Sequence, residues 1–240
     1  MLVEVCANSV QSALNAQKAG ADRIELCSEL AVGGITSSYG LLKKIRELIS
    51  IPVHVLIRPR SGDFTYSQVE FEIMKENIQL CKDFGFAGIV SGVLGDRNNL
   101  DVERTAELVT LTGNLHFTFH RAFDWLSNPE DSLLQLQEMG VQTILSSGQA
   151  TSSVEGLELL KSLQRKSEKI TIMPGGGVKP NNAHLFKEAG FMAIHLSGTH
   201  FIPSLKVAPK VSMNTPSFLS DTKLAVTKLE NIEDVVKAVK

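Results

Sequence analysis

The chain has 240 residues, 43% of them hydrophobic, and a formal net charge of −2 at pH 7. No basic stripe favours nucleic-acid binding, and no apolar run approaches the ~18–20 residues that a membrane span requires. Three cysteines are too few for a disulfide framework. Because the first strand-like run also begins without a signal-peptide pattern, we expect a cytoplasmic protein.

Strand-like and helix-like stretches alternate along the whole chain. Apolar runs predict eight strands, at Leu2–Cys6, Arg23–Cys27, Val53–Arg58, Ala87–Val90, His116–His120, Gln142–Ser146, Ile170–Pro174 and Ala193–Ser197. Helical patterns follow them near 9–19, 38–49, 67–84, 101–111, 129–139, 153–165, 180–189 and 231–239. Eight β–α units predict an α/β protein with one domain over residues 1–240, a single (β/α)8 TIM barrel.

Four glycines support the eight-unit interpretation. Each stands four residues before a strand isoleucine, in the pairs Gly20 with Ile24, Gly85 with Ile89, Gly140 with Ile144, and Gly190 with Ile194. Glycine suits the left-handed position at a helix end because it has no Cβ to clash. The pairs precede alternate strands, which favours a repeat of (βα)2 units, although chance reuse of a good helix stop gives the same pattern.

One segment, near 200–230, reads as irregular and lies between the last strand and the last helix. It contains Pro203, Pro209 and Pro216. A connection of this length in a compact domain is typical of a cap, a lid or a partner surface. The segment therefore supports a minor hypothesis, in which the protein is an interaction module that uses it.

Alternation along the strands predicts an unusually polar barrel interior. Successive residues of a barrel strand point to the lumen and to the helix layer in turn. The luminal set is polar or charged and comprises Glu4, Cys6, Arg23, Glu25, Cys27, His54, Arg58, His116, Thr118, His120, His195 and Ser197. Because buried charges are costly unless paired, the lumen contains either a structural ion-pair network or a ligand site at the C-terminal strand ends.

Cys6 and Cys27 end the first two strands. Neighbouring strands lie ~4.8 Å apart, so the two sulfurs are predicted to be within reach of one metal ion. Soft thiolates select Cu(I) or Zn(II), and two cysteines fit low-coordinate Cu(I) better than a closed tetrahedral zinc site. The alternative is that both are small buried core residues, which is the interpretation favoured for Cys81 on its helix.

Charged residues at the ends of the strands are candidates for catalysis. Arg58 and Arg60 after the third strand suit a carboxylate or phosphate, although Arg58 can instead pair with the luminal glutamates. His120 at the end of the fifth strand is a candidate acid–base group or metal ligand with Asp124 to orient it, or a structural hydrogen-bonding residue. Together with Glu25, these give the catalytic candidates Glu25, Arg58, His120 and Asp124.

Glycine-rich loops follow the seventh and eighth strands. Such loops form the usual phosphate site of these barrels, with backbone N–H groups directed at the anion. The predicted anion site consists of Arg58, Gly176, Gly177, Ser197 and Gly198. The alternative is that the glycines only make a tight turn.

Several motifs identify a known pattern. They are Glu-Val-Cys at 4–6, Gly-Ala-Asp-Arg-Ile-Glu-Leu-Cys at 20–27, Gly-Gly-Ile-Thr-Ser-Ser at 33–38, Ile-Arg-Pro-Arg-Ser-Gly-Asp-Phe at 57–64, Thr-Phe-His-Arg-Ala-Phe-Asp at 118–124, Leu-Ser-Ser-Gly at 145–148 and Met-Pro-Gly-Gly-Gly-Val at 173–178. In this order, over roughly residues 2–200, they closely resemble the copper homeostasis protein CutC family. The resemblance implies a TIM barrel, a cytoplasmic protein of copper handling, homodimers or higher homo-oligomers, and Cu(I) ligands at Cys6 and Cys27.

Two functions follow from these observations. The first is a copper homeostasis protein that binds Cu(I) through Cys6 and Cys27. The alternative is an enzyme, a lyase, isomerase or hydrolase, acting on a small phosphorylated or carboxylated substrate at the C-terminal face of the barrel. The expected partner is a copper ion or a small anionic ligand, and the sequence leaves open whether the protein is an enzyme.

Overall fold

The computed structural model describes residues 1–213 and 220–240 of the chain. Its barrel strands are β1 Leu2–Ala7, β2 Arg23–Leu26, β3 Val53–Leu56, β4 Gly88–Ser91, β5 His116–Phe119, β6 Thr143–Ser146, β7 Thr171–Pro174 and β8 Ala193–Leu196. The helices are α1 Val10–Lys18, α2 Tyr39–Leu48, α3 Gln68–Asp83, α4 Val102–Thr112, α5 Pro129–Glu138, α6 Leu157–Lys166, α7 Ala183–Glu188 and α8 Leu229–Val239. Two 3-10 turns occur at Leu30–Val32 and Arg121–Trp125.

The eight strands form one parallel sheet that wraps into a barrel. Their order around the sheet is β7-β6-β5-β4-β3-β2-β1-β8. Six of these neighbouring pairs are consecutive in the sequence, and the seventh joins β1 to β8. A parallel bridge between Gly175 and His195 joins the remaining seam between β7 and β8. The prediction of a (β/α)8 TIM barrel is confirmed. No helix in the described ranges is long and apolar enough to cross a membrane.

Local signals in the sequence explain where the helices start and stop. Ser67 and Glu70 form a capping box on α3, in which Ser67 Oγ accepts from the Glu70 N–H and Glu70 Oε2 accepts from the Ser67 N–H. The four predicted cap glycines all have positive φ, between 69° and 85°, at Gly20, Gly85, Gly140 and Gly190. The four glycines therefore adopt the left-handed backbone conformation at helix ends, as the sequence predicts.

Two helices are shorter than predicted. Helix α6 begins at Leu157 rather than near 153, because the Ser153 N–H and Oγ both donate to the Gly176 carbonyl, at 2.8 and 2.9 Å. Helix α7 begins at Ala183 rather than near 180, because Asn182 Oδ1 accepts from the Lys179 N–H at 2.8 Å and closes a turn there. Both turns form the C-terminal face of the barrel.

The prediction of an irregular segment near 200–230 is wrong at both of its ends. Strands β9 Thr199–Pro203 and β10 Lys223–Thr227 pair antiparallel there. Alternating β-formers drive this pairing, and the prolines of the segment obscured them in the sequence. Of those prolines, Pro216 lies outside the described residues. The hairpin packs against α1, where Ser12 Oγ accepts from the Thr227 N–H at 3.1 Å.

The barrel walls separate an apolar layer from a polar lumen, as the alternation predicts. Val3, Val5, Ile24 and Leu26 lie between the sheet and the helices and have no exposed surface. Their strand neighbours Glu4, Cys6, Arg23, Glu25 and Cys27 are also buried, but on the luminal side. The core that stabilises the fold therefore lies outside the barrel, and the lumen is free to hold charged groups.

Candidate functional site

A buried ion-pair cluster forms the base of the site. Glu4 on β1 has no exposed surface, and its Oε2 accepts from Arg23 Nε at 2.5 Å. His195 on β8 lies on the other side, with Nδ1 2.8 Å from Glu4 Oε1. Burial opposes ionisation of Glu4, but the His195 hydrogen bond and the Arg23 charge outweigh it and hold the pKa of the carboxyl well below its usual range. An ionised carboxylate only accepts, so His195 Nδ1 carries a proton.

Two thiols lie in contact directly above this cluster. Because β1 and β2 are parallel neighbours, with Cys6 opposite Glu25, the Cys6 and Cys27 sulfurs come within 3.4 Å of each other. Both cysteines are free and buried, and they pack on Leu56 and Val90. The predicted proximity of the two sulfurs is therefore confirmed.

The Cys6 thiol is protonated at neutral pH. Its contact with Cys27 is the largest influence, followed by burial and by the negative charges of Glu25 and Glu4, and all of them raise the pKa of Cys6 well above its ordinary value. A protonated, buried thiol is a poor nucleophile but remains a soft ligand for a metal that displaces its proton. The pair is suited to metal binding more than to covalent catalysis.

Glu25 and His195 complete a group of metal-binding side chains with Cys6. One ligand atom of each lies within 4.8 Å of the others. Burial raises the pKa of Glu25 to about 7, although the positive His195 favours its ionised form. Burial also disfavours the charged form of His195, but the nearby carboxylates Glu25 and Glu4 outweigh it and raise the pKa of His195. A metal complex with one net negative charge at these ligand atoms would therefore lie beside a positively charged His195.

A cavity of about 590 Å³ opens at the C-terminal face, with Cys6 in its lining and Cys27 buried behind it. Cys6, Glu25 and His195 lie at its inner end. The predicted anion-site residues all line it, namely Arg58, Gly176, Gly177, Ser197 and Gly198. The volume is in the range of small-molecule sites, which measure ~300–1,000 Å³.

Arg58 does not pair with the luminal glutamates, so that alternative is wrong. Its guanidinium donates to the carbonyls of Val32, Gly34 and Gly62 at 2.8, 2.9 and 2.7 Å. These carbonyls belong to the loops after β2 and β3, which Arg58 ties together at the cavity wall. Arg60 instead pairs with Glu70 at 2.5 Å and makes no contribution to the cavity lining.

The predicted orientation of His120 by Asp124 is wrong. Asp124 accepts from Ser146 Oγ at 2.6 Å, from the Ser147 N–H at 3.0 Å and from Arg121 Nε at 2.8 Å. The 3-10 turn after β5 directs Asp124 toward the loop after β6, where it anchors that loop. His120 Nδ1 accepts instead from the Ala122 N–H at 3.2 Å.

His120 is a neutral donor with an unused N–H. Burial and the positive charge of Arg58 lower the pKa of His120 to about 3. Because Nδ1 accepts from a backbone N–H, the ring proton is on Nε2, and this atom has no partner among the described residues. His120 lines the cavity, where this N–H can donate to a ligand.

Three ionisable residues of the cavity lining, among the described residues, lie outside the predicted site. His195 was assigned to the lumen but not to the site, because its contact with Glu4 depends on closure of the barrel between β8 and β1. Arg121 and Lys179 also line the cavity. Arg121 stands directly after His120, and Lys179 two residues after Gly177, so proximity to the predicted residues was the available signal.

The luminal histidines predict a loss of stability in acid. Burial lowers the pKa of His54 to about 3, of His116 to about 4 and of His120 to about 3, from an ordinary value of 6.5. Between about pH 4 and pH 6.5 the unfolded chain binds up to three protons that the folded protein does not. Glu25, with its pKa raised from 4.5 to about 7, opposes this because its folded form keeps a proton that the unfolded form loses. On balance, the unfolded state binds about two more protons than the folded state in this pH range.

We therefore expect the free energy of unfolding to fall by about 2–3 kcal/mol per pH unit between pH 6 and pH 5. Urea unfolding at pH 7, 6 and 5 measures this slope. In the His116→Gln variant the slope is expected to fall by roughly 1 kcal/mol per pH unit. A stability that does not change over this range contradicts the assignment of neutral buried histidines.

Comparison with known proteins agrees with the fold and the motifs. The family model described as "CutC family" matches residues 1–200. A family protein CutC from Serratia proteamaculans is 46% identical over 202 residues, covering 84% of this chain and 80% of the relative. One from Edwardsiella ictaluri is 48% identical over 204 residues, covering 85% and 81%.

A solved structure is similar over the same region. It is the crystal structure of a candidate copper homeostasis protein CutC from Streptococcus agalactiae, with a TM-score of 0.77 and 35% identity. The match covers 81% of this chain and 97% of that chain. With a family model over most of the chain and relatives well above 30% identity, the chain belongs to the CutC family.

Proposed function

We propose that the protein takes part in copper homeostasis and binds Cu(I) as its cargo through the thiols of Cys6 and Cys27. The observation that carries this proposal is the contact of the two sulfurs at 3.4 Å, with Cys6 in the lining of a cavity. One ion with metal–sulfur bonds of ~2.3 Å spans at most ~4.6 Å between two sulfurs, so a pair at this separation is within the span of one ion. The copper homeostasis name of the Streptococcus agalactiae protein supports the choice of metal.

The donor set favours Cu(I) over harder or more highly coordinated ions. Two thiols that pack on Leu56 and Val90 are soft ligands in an apolar setting. A structural zinc site requires four donors, usually cysteine or histidine. The Glu25 carboxylate and His195 bring the donors near Cys6 and Cys27 to four, but His195 Nδ1 is already bonded to Glu4.

The charge around the thiols fits a cuprous dithiolate. A Cu(I) ion held by two thiolates carries one net negative charge, and the protonated Cys6 releases its proton on binding. The protonated His195 lies beside Glu25 at 3.7 Å and can balance that charge. The Arg23 charge already neutralises Glu4 at 2.5 Å.

Titration of the reduced protein with Cu(I) against a competing chelator tests the proposal. We expect one Cu(I) per chain, with an affinity that rises with pH because the Cys6 thiol releases its proton on binding. The control is Cys81→Ser, since Cys81 is buried on α3 and stays outside the site. Failure to compete with the chelator, or loss of the copper equivalent in Cys81→Ser, contradicts the proposal.

Two expectations from the family resemblance stay predictions. These are the cytoplasmic location and the assembly into homodimers or higher homo-oligomers. Fractionation of cells and size-exclusion chromatography with light scattering test them. Neither is needed for the copper site, whose residues all belong to one chain.

A further inference from the structure

We propose that the outer part of the cavity binds the phosphate group of a small organic phosphate ester, in a function separate from copper binding. The phosphate site consists of the loops after β7 and β8, with Arg121 and Lys179 beside them. The remainder of the ligand extends inward toward Arg58 and His120. The charge of this part of the cavity, its unused donors and its size are all independent of the thiols.

The charges of the cavity lining favour an anion. Among the described residues, the lining contains Arg58, Arg121 and Lys179, together with His195, which is bonded to Glu4, and one carboxyl group, that of Glu25. Asp124 partly neutralises Arg121 at 2.8 Å. In the described part of the chain, neither Arg58 nor Lys179 has a carboxylate within ion-pair distance. A buried arginine with no counter-charge is costly unless a ligand supplies one.

Unused backbone donors lie at the same place. Within the described ranges, the N–H groups of Gly176, Gly177 and Gly198 donate to no other group. All three glycines have positive φ, at 95°, 78° and 55°. Because they carry no side chains, an anion can approach these N–H groups closely.

Arg121 lies over the first of these glycines. A Cβ added to Gly176 would lie 3.3 Å from Arg121 Cζ and 3.2 Å from the Ser147 Cβ. The Arg121 side chain is held there by its bonds to Asp124 and to Ser147 Oγ, each 2.8 Å long. The guanidinium is therefore prepositioned beside the free N–H groups, where a phosphate oxygen accepts from both.

The inner wall of the cavity accounts for the rest of the ligand. His120 is more than nine-tenths buried and its Nε2–H has no partner among the described residues. It lies beside Phe64, with ring centroids 4.9 Å apart, and Arg58 lies over the same Phe64 ring at 4.9 Å. A volume of about 590 Å³ exceeds the needs of inorganic phosphate alone. These features suit a polar organic group attached to the phosphate.

Calorimetric titration of copper-free, reduced protein with inorganic phosphate and with glycerol 3-phosphate tests the inference, with chloride to match ionic strength. We expect saturable binding of both, with the ester at least as tight. Lys179→Glu is expected to weaken binding about tenfold or more, because it replaces an attractive charge with a repulsive one. The matched control is Lys169→Glu, an exposed lysine before β7 at the opposite end of the barrel, which is expected to leave binding unchanged.

The outcomes separate this inference from the copper proposal. Saturable binding that survives Cys6→Ser with Cys27→Ser and is weakened by Lys179→Glu supports the phosphate site whatever the copper result. No saturable binding of either probe overturns it. Equal weakening by Lys179→Glu and Lys169→Glu also overturns it, since the effect is then one of net charge alone.

Discussion

Replacing Arg23 with alanine is expected to lower the free energy of unfolding by about 3–5 kcal/mol. Arg23 Nε contacts Glu4 Oε2 at 2.5 Å, and Glu4 has no exposed surface. Without the guanidinium, Glu4 keeps its charge in a buried setting with His195 as its nearest partner. Urea unfolding of the wild type and of Arg23→Ala at pH 7 measures the difference, provided that the free energy of unfolding depends equally steeply on urea concentration in both.

A surface ion pair gives the matched control for this prediction. Lys161 contacts Glu158 at 2.9 Å on α6, and the Glu158 side chain is 84% exposed. Lys161→Ala is expected to change the free energy of unfolding by less than about 1 kcal/mol, since water already screens this pair. If Arg23→Ala costs no more than Lys161→Ala, the luminal pair does not stabilise the fold.

Serine substitutions at the two thiols are expected to have the largest effect on copper binding. Outer partners of metal ligands typically contribute ~10–100-fold to affinity, so loss of a ligand itself is expected to cost more than about 100-fold. Cys6→Ser and Cys27→Ser are each expected to weaken Cu(I) binding by at least this factor. A serine oxygen is similar in shape but is a harder donor that Cu(I) binds poorly.

Two controls make the result interpretable. Circular dichroism shows whether each serine variant keeps its fold, and Cys81→Ser repeats the same chemical change away from the site. Cys81 is buried on α3 with burial raising its pKa to about 12, so its thiol is also protonated. Wild-type affinity in either single variant at the site means that one sulfur suffices and contradicts a two-thiol site.

Much of the site could be predicted because period-two alternation determines which face each strand residue occupies. Knowing that β1 and β2 are neighbours brings Cys6 and Cys27 together without further information. The same reasoning assigned Glu4 and Arg23 to the lumen, where they pair at 2.5 Å. These predictions depended only on strand order and side-chain parity, which the sequence displays.

The failed predictions depended on loop geometry instead. Asp124 lies four residues after His120, but the 3-10 turn between them directs the carboxylate to Ser146 and Ser147. Arg58 follows β3 and belongs to the same predicted luminal set as the glutamates. Its guanidinium nevertheless donates to loop carbonyls such as that of Gly62. The alternation of residues along a strand carries no information about the positions of loop carbonyls or the direction of a turn.

His195 illustrates a third limit. Its luminal position follows from alternation, but its partnership with Glu4 requires β8 to pair with β1. That pairing joins the two ends of the barrel and spans 191 residues of sequence. Only a closed barrel brings this histidine to the thiols, so the third member of the candidate metal group becomes visible in the structure alone.

X-ray absorption at the copper K-edge, on protein loaded with one equivalent of Cu(I), tests the central claim most directly. We expect a cuprous edge and a first coordination shell with two sulfur scatterers in the wild type. Both sulfur scatterers are expected to disappear in the variant that combines Cys6→Ser with Cys27→Ser. A first shell of nitrogen or oxygen alone, or the same sulfur shell in that variant, would contradict copper binding by these two thiols.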